Sequence, residues 1–139
     1  MVIVLLYILY VIGRYQVKPE VTIVQTSIER LTDDIILERN PVVIEDDVVD
    51  SEQVIQNSFK YLFVTKNDVD ALSAKNKHQY LVFHNNSGSS QSVVIENKVN
   101  VILHKGNILI LPLNWKYHMK NKIKMTGLHS ITSFLFSFA

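Results

Sequence analysis

The chain has 139 residues, of which 47% are hydrophobic and 19% are charged, and its formal net charge is +1. This length suits one domain with a single core, and the composition is too apolar for an intrinsically disordered protein. The nearly balanced charge gives no overall case for nucleic-acid binding. Because the sequence contains no cysteine, disulfides, thiolate metal sites and a cysteine nucleophile are excluded.

The charged residues are distributed unevenly along the chain. Residues 29–52 contain nine acidic side chains against two arginines, whereas residues 53–139 contain ten lysines against three acids. This pattern predicts two solvated faces of opposite sign, or a dipolar surface that docks onto a charged neighbour.

The N-terminal stretch MVIVLLYILYVIG is apolar throughout and is followed by Arg14, Tyr15 and Lys18. A helix over residues 1–17 would be about 25 Å long, close to the ~30 Å hydrocarbon core of a bilayer. We predict a membrane-anchor helix over residues 1–18 and a globular domain over 19–139. A secretory signal peptide, a buried first strand and a partner-bound helix are the alternatives. The side chains predicted to hold the bilayer are Val2, Ile3, Val4, Leu5, Leu6, Ile8, Leu9, Val11 and Ile12.

The first part of the domain predicts short strands and short helices. Residues 21–25 (VTIVQ) have the composition of a strand, and Thr26–Glu29 (TSIE) matches a capping box at the start of a helix. Residues 41–45 (PVVIE) predict a buried strand, and Asp50 or Ser51 can cap a second helix. The side chains of that helix expected to face inward are Val54, Ile55 and Phe59.

From Lys60 onward the sequence is typical of β-structure. Strand-length apolar runs are separated by the turn sequences NSGSS, NK and KGN, which predicts an antiparallel sandwich or a small barrel. The C-terminal stretch LHSITSFLFSFA predicts a final strand or a short helix. The runs predicted as strands are KYLFVTK, QYLVFHN, SVVIEN, VNVILH and NILILP.

Two segments resemble a known family. GNILILPLNWKYHM (106–119) contains a glycine, a strand, a proline, a tryptophan and a histidine in the order found in JmjC-like cupin-like domains. LERNPVVIEDDVVD (37–50) resembles the opening of those domains. The resemblance implies a mainly β fold with short helices, in which a double-stranded β-helix barrel of the cupin or jelly-roll kind follows the N-terminal anchor.

The resemblance also draws attention to two histidines. Active members of the family bind Fe(II) through His-x-Asp/Glu and a distant histidine. The nearest match here is His84-Asn85-Asn86, in which an amide replaces the carboxylate, and the distant histidine would be His118. One extra residue separates His118 from Pro112 compared with the family, which would turn its side chain to the other face of a strand. We therefore expect no bound metal, no cofactor and no enzymatic activity, and an Fe(II)/2-oxoglutarate oxygenase is the alternative.

An apolar helix joined to a cupin-like domain with an eroded triad resembles the membrane-anchored minor virion proteins of large nucleocytoplasmic DNA viruses. The resemblance implies a non-enzymatic structural or interaction protein at the interface of the inner membrane and the capsid. Its partners would be a lipid bilayer and other capsid or virion proteins, without nucleic acid or a small-molecule substrate. A glycan-binding or small-ligand module that uses Trp115 and Tyr117 is a further alternative.

We expect a surface of charged and aromatic side chains to contact those partners. The lysines of KYHMKNKIK also suit an edge strand that is guarded against aggregation. The residues predicted for the surface are Glu45, Asp46, Asp47, Trp115, Lys116, Tyr117, Lys120, Lys122, Lys124, Phe134, Phe136 and Phe138.

Overall fold

The computed structural model describes residues 2–14, 21–37, 39–48, 50–59 and 65–130. These residues form three helices and ten strands. The helices are α1 (Val2–Arg14), α2 (Asp33–Leu37) and α3 (Ser51–Phe59). The strands are β1 (Val24–Thr26), β2 (Val42–Ile44), β3 (Thr65–Val69), β4 (Ser73–Lys75), β5 (Tyr80–His84), β6 (Gln91–Ile95), β7 (Val99–Leu103), β8 (Ile108–Pro112), β9 (Lys116–Met119) and β10 (Lys124–His129).

The strands of the described residues form two sheets. The larger sheet has the order β1-β2-β8-β5-β10-β3, and the smaller sheet has the order β4-β9-β6-β7. Neighbouring strands are antiparallel except for the parallel pair β1–β2. The prediction of a mainly β fold with short helices is confirmed. The expected closed barrel is absent from this part of the chain, where the two sheets are consistent with a β-sandwich.

One hydrophobic core joins the two sheets. Phe83, Leu109 and Leu111 of the larger sheet belong to the same buried cluster as Val93 and Trp115, which come from the smaller sheet and the turn before β9. In β7 and β9, buried and exposed residues alternate, because one face of the smaller sheet packs on this core and the other faces solvent.

A second core lies on the opposite side of the larger sheet. Ile44, Tyr80 and Ile110 pack there with side chains of the helices, including Ile36 of α2 and Phe59 of α3. Every residue of β5 and β8 is buried, since both faces of these strands are covered. This explains why YLVFH and ILILP are continuous apolar runs rather than alternating ones.

The helices near the start of the domain agree only in part with the predicted ones. The capping box predicted at Thr26–Glu29 is wrong, because Thr26 ends β1 and residues 28–30 form a turn. Helix α2 begins instead at Asp33, where the Thr32 hydroxyl accepts a bond from the Ile35 amide at 3.5 Å. The cap on the second helix is confirmed, since the Asp50 carboxylate accepts from the Glu52 amide at 3.0 Å. Its predicted inward residues, Val54, Ile55 and Phe59, are all buried.

The predicted edge strand in KYHMKNKIK is also corrected. Strand β9 pairs with β4 on one side and with β6 on the other, so it lies inside the smaller sheet. Most of KYLFVTK (residues 60–64) and the C-terminal residues 131–139 lie outside the described residues.

Helix α1 exposes an unusually apolar surface. The nine consecutive side chains from Val2 to Tyr10 are between 46% and 82% exposed, and all are aliphatic or tyrosine. The helix has 13 residues. Among the residues that the structure describes, none of the helices combines the length and the apolar character needed to cross a membrane.

The turn between β7 and β8 depends on Gly106. Its φ of 81° lies in the left-handed region, and a Cβ atom there would lie 2.7 Å from both Asp47 Cα and Val48 N. Asp47 Oδ1 would be closer still, but because the other two neighbours are backbone atoms, a rotamer change of Asp47 alone cannot accommodate a side chain at this position.

We expect Gly106→Ala to lower the free energy of unfolding by about 2–4 kcal/mol, because it combines an unfavourable φ with a backbone overlap. Urea unfolding followed by tryptophan fluorescence measures this change. Gly88→Ala is the matched control, because a Cβ at Gly88 has no atom within 4 Å, and it should change stability by less than about 0.5 kcal/mol. If Gly106→Ala and Gly88→Ala lower the free energy of unfolding by similar amounts, the turn does not depend on a glycine at position 106.

Candidate functional site

His84, the first residue of the iron-like motif, is used to hold the fold together. It ends β5, is 3% exposed, and its Nε2 atom lies 2.6 Å from the Val48 carbonyl oxygen. Because a carbonyl can only accept, Nε2 carries the hydrogen and donates it. This bond joins the end of β5 to the backbone of the segment between β2 and α3.

Asn85, the middle residue of the motif, is the most heavily bonded of the three. It is 1% exposed, and its side-chain amide donates to the carbonyl oxygens of Ser89 at 2.9 Å and Leu103 at 2.8 Å. Its Oδ1 accepts from the amide and the hydroxyl of Ser87. Asn86, which replaces the family's carboxylate, is exposed instead.

Backbone hydrogen bonds extend this arrangement to the turn between β7 and β8. Gly106 N donates to Asn85 O at 2.7 Å, and Asn85 N donates to Asn107 O at 3.1 Å. Val48 N donates to Gly106 O at 2.9 Å. The β2–α3, β5–β6 and β7–β8 connections, which are distant in sequence, thus meet at one place. We call the four residues that join them the buried clamp, namely His84, Asn85, Val48 and Gly106.

His118 lies on the other sheet and faces away from the core. It is exposed, whereas its neighbours Tyr117 and Met119 are buried, as the alternation of β9 requires. The prediction that the extra residue turns His118 outward is confirmed. Among the described residues, no three His, Cys, Asp or Glu side chains are grouped in a way that could hold a metal ion. The donors present at His84 and His118 do not fit the facial triad that Fe(II) needs.

Trp115 and Tyr117 do not form an exposed surface, and this part of the predicted interaction surface is wrong. Trp115 is 1% exposed and Tyr117 is 4% exposed, and both belong to the core between the sheets. The Tyr117 hydroxyl donates to the Ala71 carbonyl at 3.2 Å, and its ring meets Phe83 edge-on with centroids 5.2 Å apart. Burial raises the pKa of Tyr117 above its ordinary value. A sugar or peptide cannot stack on these rings unless the sandwich opens.

The four predicted lysines are exposed but do not form one surface. Lys116 belongs to β9 and Lys120 follows it, whereas Lys124 begins β10 in the other sheet. Lys122 forms an ion pair with Asp70. The predicted aromatic residues Phe134, Phe136 and Phe138 lie outside the described residues.

The predicted acidic residues lie beside a cleft in the surface of the domain. Glu45 and Asp47 are exposed and line a cleft of about 770 Å³ between β1–β2 and β7. Asp46 has a structural role, since its carboxylate accepts from the Ile28 amide at 2.8 Å. The opposite wall of the cleft carries His104 and Lys105, so the cleft has both signs of charge.

Sequence reasoning missed a pair of stacked histidines. The rings of His78 and His129 have centroids 4.1 Å apart, and the ring of His78 lies against Gly127, where a side chain would overlap it. Burial, and secondarily the charge of His129, lower the pKa of His78 from 6.5 to about 4. Burial also lowers the pKa of His129. The glycine in the strand was the one sequence signal of this close approach.

Comparisons of the chain with protein-family models, with curated proteins and with solved structures found no match in any of the three. The assignment of function therefore rests on the positions, contacts and charges of the residues described above.

Asn85→Ala should lower the free energy of unfolding by about 2–4 kcal/mol, because it leaves the buried Leu103 carbonyl oxygen without this donor and also removes the bonds to Ser89 and Ser87. Asn86→Ala removes an equivalent amide from an exposed position and should cost less than about 0.5 kcal/mol. Denaturant titrations of both variants make the comparison. If Asn86→Ala costs as much as Asn85→Ala, the clamp is not where the structure places it.

The stacked histidines predict loss of stability in mild acid. The pKa of His78 is about 4 in the folded chain and about 6.5 when unfolded, so between these values the unfolded chain binds more protons. Its stabilising contribution is complete above pH 6.5 and declines as the pH falls toward 4. Unfolding titrations across this range should therefore show a weaker pH dependence for His78→Gln than for the natural chain. His118→Gln, at an exposed position, should leave the pH dependence unchanged, and a flat natural profile would refute the prediction.

Proposed function

We propose that this chain is a non-enzymatic structural or interaction protein, in which α1 associates with a lipid bilayer and the β domain binds neighbouring proteins. The observation that carries the proposal is the exposed apolar run from Val2 to Tyr10. Nine consecutive residues cover every side of a helix with 3.6 residues per turn, so α1 lacks a polar face along this length. A helix that is apolar all round is stable in lipid or in a protein interior rather than in water.

The strand order supports assigning the domain to the jelly rolls of the double-stranded β-helix type. From β3 to β10, the strands pair as 3-10-5-8 in one sheet and as 4-9-6-7 in the other. Two four-stranded sheets built from eight such strands are the jelly-roll arrangement, and here β1 and β2 extend the first sheet beyond it.

The positions of the histidines support a binding role rather than oxygenase chemistry. His84 donates to a backbone carbonyl in the larger sheet, and His118 faces solvent from the smaller sheet. The space between the sheets is filled by large apolar side chains, including Phe83, Trp115 and Met119. Substrate and 2-oxoglutarate would have to displace this core to reach a metal.

We place the protein at the boundary between an inner membrane and a capsid. An apolar helix joined to a jelly-roll domain suits a short linker between lipid and a protein shell, and the family-like segments point to the same class. Co-purification tests this placement. The chain should remain with detergent-treated particles through a density gradient, and its recovery only in free membranes would contradict the capsid partner.

Membrane association is tested with the full chain on phosphatidylcholine vesicles. The natural protein should float with the vesicles and resist an alkaline carbonate wash, whereas Ile8→Glu should release it by placing a charge in the apolar run. Ile28→Glu is the matched control, because Ile28 is 44% exposed and Ile8 is 46% exposed, but Ile28 lies in the domain. Release of the natural protein by carbonate would overturn the membrane role.

Loss of the iron site is tested by restoring its carboxylate. Asn86→Asp recreates His-x-Asp in the sequence, yet we expect anaerobic Fe(II) and 2-oxoglutarate to give no metal-to-ligand charge-transfer band with it. The reason is that His118 faces solvent from the smaller sheet, whereas His84 is buried at the end of β5 in the larger sheet, so the two histidines do not converge. A band in either the natural chain or the variant would favour the oxygenase.

A further inference from the structure

The two sheets differ in what covers their outer faces. Helices α2 and α3 cover the larger sheet, where their side chains join the second core. The smaller sheet has its inner face on the first core, and its outward side chains are exposed or half-buried. We call this outward side of β4, β9, β6 and β7 the open face.

Three lysines lie on the open face. Lys75 and Lys116 are direct cross-strand partners in β4 and β9, and Lys120 follows β9 on the same side of the sheet by alternation. The neighbouring outward positions are filled by His118, by small polar residues and by two aliphatic residues. The outward residues that complete the face are Ser73, Ser92, Val94, Asn100 and Ile102.

One acid borders this set, and its carboxylate is already used. Glu96, in the turn after β6, accepts from the Lys116 backbone amide at 2.8 Å, while its own amide donates to Lys116 O at 3.0 Å. The acids of residues 45–52 lie between β2 and α3 or at the start of α3, on elements of the larger sheet and its helical cover. Glu45 and Asp47 share the cleft beside β7 with Asn100 and Ile102, so the positive part of the open face is its β4–β9 side, which carries the three lysines.

Two shallow depressions place hydrogen-bond donors beside these lysines. One, of about 140 Å³, is lined by Lys75, Lys116 and Asn97, among others. The other, of about 350 Å³, is lined by Lys120 together with hydroxyl and amide side chains. The polar residues of the second depression are Ser90, Gln91, Ser92, Asn100 and Asn121. Lysine ammonium groups next to neutral donors suit anionic phosphate or carboxylate groups.

We infer that the open face docks onto the anionic headgroups of the bilayer that holds α1, an inference that rests on the membrane association proposed above. Stable attachment of a peripheral domain commonly needs an apolar insertion and a basic patch together. This chain carries both features, and the charge of the open face complements an anionic leaflet.

The chain path makes the two contacts compatible. Arg14 and Val21 are seven peptide steps apart and cannot be separated by more than about 25 Å. Val21 and Ile23 pack on the core together with Val99, and Ile23 shares a cleft with β7. The chain therefore enters the domain beside the edge of the open face. Ile102, 54% exposed on β7, adds an apolar contact at that edge.

The test compares binding of the full chain to phosphatidylcholine vesicles and to vesicles that also contain phosphatidylserine. The face variant carries Lys75→Gln, Lys116→Gln and Lys120→Gln. The control variant carries Lys66→Gln, Lys122→Gln and Lys124→Gln, which removes the same charge from β3, the β9–β10 connection and β10. Each lysine near an anionic surface contributes about five-fold in affinity, so the face variant should lose about 100-fold on anionic vesicles. On neutral vesicles, the face variant should bind with the same affinity as the natural chain. The control variant should lose less than about five-fold in affinity on neutral or anionic vesicles.

The outcomes separate this inference from the proposed function. Equal binding of the natural chain to neutral and anionic vesicles would overturn the open face as a docking surface and leave the apolar helix as the anchor. Failure to bind either vesicle would overturn the membrane role itself. If the face variant and the control variant lose the same affinity for anionic vesicles, binding depends on the net charge of the chain and not on the open face. If a single-stranded oligonucleotide binds more tightly than anionic vesicles at the same salt and depends on the same lysines, the partner is nucleic acid instead.

Discussion

The hydrogen bond from His84 Nε2 to the Val48 carbonyl is the contact on which the rest of the structure depends. It is 2.6 Å long and buried, and it joins the end of β5 to the segment between β2 and α3. Asn85 lies in the connection that follows β5 and donates to the Leu103 carbonyl at the end of β7. Gly106 is bonded through its backbone to both Asn85 and Val48. Buried polar groups stabilise a fold only when their partners are supplied, and here each partner comes from a different part of the chain. The clamp thus fixes the position of the segment between β2 and α3 against the two sheets.

The surroundings of the two histidines bear on what the protein can do. His84 is buried in the larger sheet and His118 is exposed on the smaller sheet, and the interior between the sheets is closed by aromatic and aliphatic side chains. Chemistry inside the sandwich would require the core to reopen, whereas binding at the outside requires no change. Under the proposed function, the surfaces that bind partners are the apolar helix and the sheet face that carries lysines. A rigid core with functional outer surfaces is what a scaffold between two partners needs.

The parts of the fold that local pattern specifies were predictable, and those that long-range contacts specify were not. β5 and β8 were evident as apolar runs, the Asp50 cap as a helix signal, and the outward direction of His118 from alternation. β4 was missed because Ser73–Lys75 is short and polar, and its pairing with β9 defines it. Burial of Trp115 and Tyr117 was missed because the bond from the tyrosine to Ala71 spans 46 residues. The clamp was hidden for the same reason, since His84 and Val48 are 36 residues apart.

The most direct test of the clamp is nitrogen-resolved NMR of the histidine rings in the full chain labelled with ¹⁵N and ¹³C, with Fe(II) added anaerobically. We predict that His84 carries a slowly exchanging hydrogen on Nε2 with a coupling to the Val48 carbonyl, and that substoichiometric Fe(II) leaves its resonances sharp. Joint broadening of the His84 and His118 resonances would show the two rings meeting at one ion, and the scaffold account would then be wrong.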